Sequence, residues 1–212
     1  MLDISNLTFS YDGKVTIFND FKFTVDQGEF VCLQGRNGAG KTTLLNIIAG
    51  LTYAPELKVE LFNKELTQKE LKDQVVYIPT KPEFYNELTV ARFIDLIAYL
   101  WGEGECFKKQ VFMYIAELKL IYTKNQRVGD FSLGMQYKLY LATFLAIPRK
   151  ILLLDEPFNA LDRDSRKVAI KLVKNYVGKN QGCCIFSSHV TATINNLKTR
   201  TINIERREIY EK

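Results

Sequence analysis

Two stretches near the start of the chain alternate apolar and polar residues. Residues 2–11 (LDISNLTFSY) and 16–25 (TIFNDFKFTV) follow this two-residue period over most of their length, and Asp12 and Gly13 lie between them. Alternation of this kind is typical of a strand with one buried face, and an Asp-Gly pair favours a tight turn. The pattern therefore predicts two antiparallel strands at the start of the fold.

Four later runs are almost entirely apolar, which predicts short strands buried on both faces. They lie at 30–35 (FVCLQG), 74–78 (QVVYI), 151–154 (ILLL) and 183–187 (CCIFS). A helical pattern at 41–50 follows the first run and ends at a glycine, and nearly all of 84–147 is helical in pattern. Strands that alternate with helices indicate an α/β fold. The stretch from about 84 to 147 predicts a helical subdomain inserted into the α/β core, and 201–212 predicts a terminal hairpin.

Composition narrows the class of protein. The 212 residues are 47% hydrophobic and 25% charged, as in an ordinary globular chain. The net charge of +5 is spread along the chain, which favours a solvated surface over a nucleic-acid-binding face. The longest apolar run, 139–148, is shorter than the roughly 18 residues of a membrane span. The start of the chain carries Asp3 and no long apolar stretch, so no secretory signal is expected.

The cysteines and the histidine argue against a metal site built from Cys or His side chains. The four cysteines have no CxxC spacing, and His189 is the only histidine. Cys183 and Cys184 lie inside an apolar run, which is typical of core residues in a reduced, cytosolic protein.

The sequence GRNGAGKT at 35–42 fits the phosphate-binding pattern G-x-x-x-x-G-K-[ST]. It follows a predicted strand and precedes a predicted helix, which is the context that this pattern requires. Glycines let backbone N–H groups turn towards phosphate oxygens, and the helix directs its positive end at them. Lys41 is then placed to reach the β- and γ-phosphates, and the Thr42 hydroxyl to coordinate Mg²⁺.

A pair of acidic residues follows the apolar run at 151–154. Asp155 is placed to hold Mg²⁺ through its water shell, and Glu156 to polarise an attacking water. An acidic pair after a strand can also cap a turn. Its presence beside a phosphate-binding loop favours ATP hydrolysis.

Further motifs follow in the order found in ABC-type ATPases. After the phosphate loop and the helical insert come FSLGMQ (131–136), ILLLDEP (151–157), NALD (159–162) and SSH (187–189). The chain resembles this family over nearly its whole length. The resemblance implies the P-loop NTPase fold of an ABC cassette: a single α/β domain (1–212) with a mixed sheet core, an N-terminal antiparallel β part and a helical subdomain at about 84–147.

The resemblance also implies roles for residues outside the phosphate loop. Ser132 and Gly134 match the serine and second glycine of the signature segment, usually LSGGQ, which grips the γ-phosphate held by the opposite subunit. Without the family, this segment is interpreted as a plain helix N-cap. Tyr11 matches the aromatic residue that stacks on adenine, although a tyrosine at a strand end is also common on the surface or in the core.

His189 and Asp162 also match residues of the family, whereas Thr80 differs from it. His189 resembles the switch histidine that contacts the γ-phosphate and orients the attacking water. Asp162 resembles the loop acid that crosses the dimer seam, although aspartate also starts helices well. After the strand at 74–78 the family has a glutamine that touches Mg²⁺ and relays to the transporter, and here Thr80 takes that place. The shorter hydroxyl cannot span the same distance, which puts coupling at this loop in doubt.

The sequence therefore predicts a site for ATP and Mg²⁺. We expect Glu156 and His189 to be catalytic, and Thr42 and Asp155 to hold the metal. The expected nucleotide-binding residues are Tyr11, Gly35, Arg36, Asn37, Gly38, Ala39, Gly40, Lys41, Thr42 and Thr43 of one subunit and Ser132, Gly134 and Asp162 of the other.

The predicted function is that of the ATP-hydrolysing subunit of an ABC transporter. We expect a homodimer or heterodimer of ATPase subunits around two ATP molecules, with separate transmembrane permease subunits, on the cytoplasmic face of the membrane. The S-x-G-M form of the signature, the SSH triplet and the small size favour an exporter of the drug, lipid or haem type. Phe84, Tyr85 and Trp101 either line the groove for the permease or belong to the core.

Two other functions stay open. One is a non-transport ABC ATPase acting in DNA repair, chromosome organisation or translation. The lack of a long heptad run or basic block before Ser132 favours transport and no nucleic-acid partner. The other is a regulatory nucleotide sensor, for which only Thr80 argues.

Overall fold

The computed structural model describes residues 1–11 and 15–204. The predicted turn at Asp12 and Gly13 and most of the predicted terminal hairpin lie outside these residues. In chain order the elements are β1 (Leu2–Ser10), β2 (Thr16–Val25), β3 (Phe30–Gln34), α1 (Lys41–Ile48), β4 (Lys58–Leu61), β5 (Lys64–Leu66), α2 (Gln68–Lys72), β6 (Val75–Ile78), α3 (Val90–Trp101), α4 (Glu105–Glu117), a 3₁₀ turn (Val128–Asp130), α5 (Leu133–Phe144), β7 (Ile151–Asp155), α6 (Arg163–Asn180), β8 (Cys183–Ser187), α7 (Thr191–Leu197) and β9 (Arg200–Asn203).

The first sheet is antiparallel, as the alternating pattern predicted. β1 pairs with β2, with Leu2 opposite Val25, and the strand order is β2-β1-β4-β5. Leu2, Ile4 and Leu7 of β1 are buried. The short strands β4 and β5, which sequence analysis did not identify, extend this sheet on the other side of β1.

The second sheet is parallel, with the order β6-β7-β8-β3-β9. Four of its strands are the apolar runs of the sequence, and every residue of β7 and β8 is buried. Burial on both faces explains why these runs lack alternation. β7 continues one residue further than predicted, so that Asp155 belongs to the strand.

The parallel sheet separates two hydrophobic cores. Leu153 and Ile185 face a core shared with α1 and the antiparallel sheet, whereas Leu154 and Phe186 face a core shared with α3 to α6. The buried cysteines predicted by the sequence divide in the same way, since Cys183 faces the first core and Cys184 the second. This layering fixes the carboxyl ends of the central strands relative to the helix that follows β3.

The helical pattern between 84 and 147 corresponds to α3, α4, the 3₁₀ turn and α5. Phe93, Ile94 and Ile97 of α3 are buried at helical spacing and pack into the core shared with the parallel sheet. This helical part is therefore joined to the α/β core by a continuous apolar contact. Among the described residues, no helix has the length and apolar character to cross a membrane.

Candidate functional site

The carboxyl ends of four parallel strands meet at one edge of the sheet. Gly35 follows β3, Thr80 lies just beyond β6, Glu156 follows β7 and His189 lies just beyond β8. Ligands of open α/β sheets bind at this edge. A cleft of about 640 Å³ opens there, between the strand ends and the beginning of α1.

The loop between β3 and α1 has the backbone shape of a phosphate cradle. Gly38 (φ 80°) and Gly40 (φ 110°) lie in the left-handed region, which favours glycine. A Cβ on Gly40 would lie 2.7 Å from Cγ2 of Ile17 and 3.1 Å from Cζ of Phe18, so this position has no room for a side chain. No side chain of the described residues caps the start of α1. Its first N–H groups are therefore available to an anion, and the loop fits a phosphate.

Lys41 brings a positive charge to this cradle. Its Nζ donates hydrogen bonds to the carbonyl oxygens of Gly35 (2.8 Å) and Arg36 (3.2 Å), and the residue is 9% exposed. The ammonium group is therefore held beneath the loop, where it lines the cleft. Two backbone carbonyls hold it in position without neutralising its charge.

Thr42 and Asp155 are 113 residues apart in sequence and directly bonded in the structure. The Thr42 hydroxyl donates to Oδ2 of Asp155 at 2.9 Å, and Asp155 is buried. A hydroxyl and a carboxylate are hard oxygen ligands that suit Mg²⁺. The described residues contain no cluster of three or more His, Cys, Asp or Glu side chains that could hold a metal alone. The pair therefore fits a cation that takes its remaining ligands from phosphate and water.

The Thr80 hydroxyl contacts the same aspartate from another side. It donates to the backbone carbonyl oxygen of Asp155 at 3.1 Å, and Thr80 lines the cleft. Thr80, which the sequence placed at the position of the family's glutamine, therefore lies at the site. Its short side chain is bonded to the end of β7.

Glu156 and His189 are in contact at the open side of the cleft. Nε2 of His189 lies 3.3 Å from Oε1 of Glu156, and the His189 backbone N–H donates to Oε2 at 3.1 Å. Glu156 itself has φ 48°, a conformation that costs a residue with a side chain about 1–3 kcal/mol. The backbone thus holds the carboxylate at the cleft at an energetic cost, as is common at functional sites.

Tyr11 stands at the mouth of the cleft. Its hydroxyl lies 3.2 Å from Oγ1 of Thr43, its ring packs edge-on against Phe9, and the residue is 65% exposed. The ring is therefore anchored at one end and open on the cleft side. This position suits stacking on a planar base.

The structure brings together most of the residues predicted for one subunit. The cleft is lined by Tyr11, Asn37, Gly38, Gly40, Lys41, Thr42, Thr43, Asp155, Glu156 and His189, together with Ile17, Thr80, Asn159 and Val190. The loop residues Gly35, Arg36 and Ala39 are not among its lining residues. Gly35 lies against the backbone of Ile204, and Ala39 is buried in the core. Asn159 was not among the predicted site residues, although it is the first residue of the NALD motif.

The three residues predicted to act on the opposite subunit's ATP lie outside this cleft. Ser132 caps α5, its Oγ accepting from the Met135 N–H at 3.3 Å. The neighbouring Gly134 packs so closely on the loop before α6 that a Cβ would lie 3.0 Å from the Ala160 carbonyl oxygen. These contacts place the start of α5 beside the loop that leads to α6.

Asp162 caps α6. Its carboxylate accepts from the backbone N–H groups of Asp164 and Ser165 and from the Ser165 hydroxyl. These bonds, led by those from Ser165, lower the pKa of Asp162 to about 2. Nζ of Lys138 on α5 lies 3.7 Å from the same carboxylate. Capping, which the sequence left open as an alternative, is therefore one role of this residue.

A second, more apolar cavity of about 710 Å³ adjoins the cleft. It lies between the parallel sheet and the helical part, and Thr42, Thr80 and Asp155 line both spaces. The sequence left open whether Phe84, Tyr85 and Trp101 line a groove or belong to the core. Trp101 lines this cavity, and Tyr85 is exposed elsewhere. Phe84 packs on Phe93 and Tyr140 in the core.

A glycine loop that opens a helix, with its lysine held under the loop and its threonine bonded to a buried aspartate, defines a P-loop nucleotide-binding ATPase. The sequence profile of the ABC transporter family matches residues 18–159. The chain is 31% identical over 206 residues to the cytochrome c biogenesis ATP-binding export protein CcmA of Aliivibrio fischeri, covering 96% of this chain and 99% of that protein. The chain belongs to the ABC transporter family, and within it is an ATP-binding subunit that hydrolyses ATP.

Further comparisons agree in family and fold. The bacitracin transport ATP-binding protein BcrA of Enterococcus faecalis is 31% identical over 203 residues, which cover 93% of this chain and 64% of BcrA. A solved ATP-binding subunit of an ABC transporter superposes with a TM-score of 0.86 at 26% identity, covering 97% of this chain and 86% of that one. The dimeric post-hydrolysis structure of the ATP-binding cassette MJ0796, bound to ADP and Pi, gives 0.81 at 21% identity, covering 97% and 95%. The fold class predicted from the sequence is confirmed.

Proposed function

We propose that this chain pairs with a second copy, or with a related ATPase subunit, so that two ATP molecules are enclosed at the interface. One observation carries the proposal: Ser132 and Gly134 lie outside the cleft that holds Lys41 and Glu156. Ser132 caps the exposed end of a helix by accepting from the Met135 N–H, and a helix N-terminus favours an anion. A second chain can present this end to the phosphates in the first chain's cleft.

Within the cleft, each residue has a role that follows from its contacts. The backbone of 35–40 and Lys41 bind the phosphates, and Tyr11 stacks on the base. Thr42 and Asp155 hold Mg²⁺, which neutralises charge on the phosphates when it is bound. Glu156 accepts the proton of the attacking water on a carboxylate oxygen, and His189, 3.3 Å away, orients that carboxylate and the water.

ATP should drive this assembly. Because the bound nucleotide would bridge two chains, we expect the nucleotide-free protein to be largely monomeric and the ATP-bound protein to be dimeric. The Glu156→Gln variant should show the largest shift, since its ATP persists. Light scattering measures the mass directly. An unchanged mass with saturating ATP and Mg²⁺ at high protein concentration would rule out the shared site.

We further propose that the dimer drives transport through separate membrane subunits and lies on the cytoplasmic face of the membrane. CcmA and BcrA are named as ATP-binding proteins of export and of transport, and no described helix of this chain crosses a membrane. The apolar cavity beside Thr80 shares its wall with the nucleotide cleft, so a segment docked there would sense the cleft. Its other wall belongs to the helices within about 84–147, which we assign as the helical subdomain.

Exposed apolar residues provide a test of this docking. Leu51 lines the cavity and is 61% exposed, whereas Ile121 is 85% exposed and lies away from it. We expect Leu51→Glu to lower co-purification with the membrane subunit on the order of 10-fold, because a buried carboxylate is costly. Ile121→Glu should have no effect, and both variants should bind ATP normally. Equal recovery of the membrane subunit with both variants would place the docking surface elsewhere.

A further inference from the structure

Ser187 joins the two acidic residues of the site through one buried hydroxyl. Its Oγ donates to Oδ1 of Asp155 at 2.6 Å and accepts from the Glu156 N–H at 2.9 Å, and Ser187 is completely buried. We propose that Ser187 is a positioning residue that orients the Asp155 carboxylate for Mg²⁺ and holds the backbone of Glu156. This inference rests on the metal-binding role proposed above for Asp155.

The sheet places Ser187 beside Asp155. The two residues are directly opposite each other in the pairing of β7 with β8, so their side chains point to the same face. Leu154 and Phe186, one position earlier on each strand, face the helical core instead. The contact is therefore set by the strand register and does not depend on a flexible loop.

The hydrogen bonds leave the Asp155 carboxylate a single orientation. Ser187 occupies Oδ1 on the sheet side, Thr42 donates to Oδ2, and Thr80 donates to the backbone carbonyl oxygen. Of the two carboxylate oxygens, Oδ2 is thus the one beside the hydroxyl at the start of α1. A carboxylate fixed in this way loses little conformational entropy when a cation binds, which is how outer hydrogen bonds raise metal affinity.

The same hydroxyl supports the turn that carries Glu156. This residue has φ 48°, and its N–H donates to Ser187 Oγ. Because Oγ accepts this bond, its own hydrogen is free to point at Asp155. A hydroxyl donates and accepts at the same time, which neither an alanine nor a valine side chain can do. Its loss would leave both partners unpaired at once.

A matched pair of variants separates the hydroxyl from packing. Thr and Val have nearly the same shape, so Ser187→Thr and Ser187→Val add the same side-chain volume at the buried position. The two variants differ only in the hydroxyl. We expect Ser187→Val to raise the free Mg²⁺ concentration needed for half-maximal ATP binding on the order of 10- to 100-fold over Ser187→Thr, the usual effect of losing an outer partner of a metal ligand. ATP binding in EDTA should be the same for both variants.

Equilibrium binding of a fluorescent ATP analogue over a series of free Mg²⁺ concentrations measures this difference without turnover. Paramagnetic resonance of Mn²⁺ in the ATP complex gives the metal affinity independently. Ser188→Ala is the control next in sequence, because the Ser188 hydroxyl accepts from the Val190 N–H and serves neither acidic residue. It should leave the metal dependence unchanged. Ser187→Ala repeats the hydroxyl deletion with a smaller side chain, should Val and Thr both destabilise the fold.

Asp155→Asn in the same assay identifies which proposal fails. One outcome is that Asp155→Asn raises the free Mg²⁺ concentration needed for half-maximal ATP binding while the three Ser187 variants match the wild type. In that case the positioning role of Ser187 is wrong and the metal role of Asp155 stands. If Asp155→Asn leaves the metal dependence unchanged, the metal assignment fails, and the Ser187 role with it. A loss of ATP binding in EDTA for Ser187→Val or Ser187→Ala would show a purely structural serine.

Discussion

Replacing Glu156 by glutamine should lower the rate of ATP hydrolysis on the order of 10²-fold or more, the usual contribution of a general base. Glutamine keeps the size of the side chain and an oxygen that can accept from the His189 N–H, which bonds Oε2 in the structure. It removes the negative charge that takes a proton from water. Phosphate release under saturating ATP measures the rate, and equilibrium binding should show ATP affinity close to that of the wild type.

Lys41→Ala is the contrasting variant. The ammonium group of Lys41 lies under the phosphate-binding loop, so the loss of this group should weaken ATP binding itself. We therefore expect a defect in turnover for Glu156→Gln, at the open side of the cleft, and a defect in ATP affinity for Lys41→Ala, under the phosphate-binding loop. Near-normal turnover in Glu156→Gln would show that another group activates the water, and normal affinity in Lys41→Ala would remove Lys41 from the phosphate site.

Much of the fold was predictable because its central strands have strong and unlike patterns. The strands buried on both faces appear as continuous apolar runs, and the β1–β2 pair as alternation. The glycine-rich loop adds a spacing that fits few other structures, so its place between β3 and α1 was predictable too. The hydrophobic patterns and the glycine spacing are both local signals. The first reflects burial and the second a backbone conformation, and the fold requires both.

The 18-residue helix α6 was not predicted from the sequence. The other elements that were missed are short, and several are mostly exposed. β4 has four residues and β5 three, and Lys58 and Lys64 begin them, so neither shows alternation over more than two periods. α2 has five residues, and its signal was the capping box of Thr67 and Glu70. β4 forms along the edge of β1, and β5 along the edge of β4, so both depend on the sheet and not only on their own sequence.

The candidate site divides in a similar way. Lys41 and Thr42 belong to a contiguous motif that sequence could assign. The hydroxyl of Ser187 and the carboxylate of Asp155 meet through strand register, and the bond of Thr80 to Asp155 depends on how β6 lies beside β7. Contacts between strands distant in sequence need the sheet order, which no motif in a single sequence specifies.

Ser132 of the signature segment gives the other large expected effect. Ser132 is exposed at the start of α5 and does not line the cleft of its own chain. Ser132→Arg should therefore leave ATP binding by the monomer unchanged, and loss of the cap should cost only about 1 kcal/mol of stability. In the dimer, the bulky side chain would block the helix end that meets the phosphates of the partner. We expect hydrolysis to fall on the order of 10²-fold, the effect of losing one preorganised donor to a reacting phosphate or oxyanion.

Mixing variants tests whether this effect acts across the dimer. A heterodimer of Ser132→Arg with Lys41→Ala would contain one complete site, made from the intact cleft of the first chain and the intact Ser132 of the second. The mixture should therefore recover a measurable part of the hydrolysis that each variant alone has lost. A mixture of Lys41→Ala with Glu156→Gln has both defects in clefts, forms no complete site and should stay inactive. If neither mixture recovers activity although both form dimers with ATP, Ser132 acts within its own chain, and the shared site is wrong.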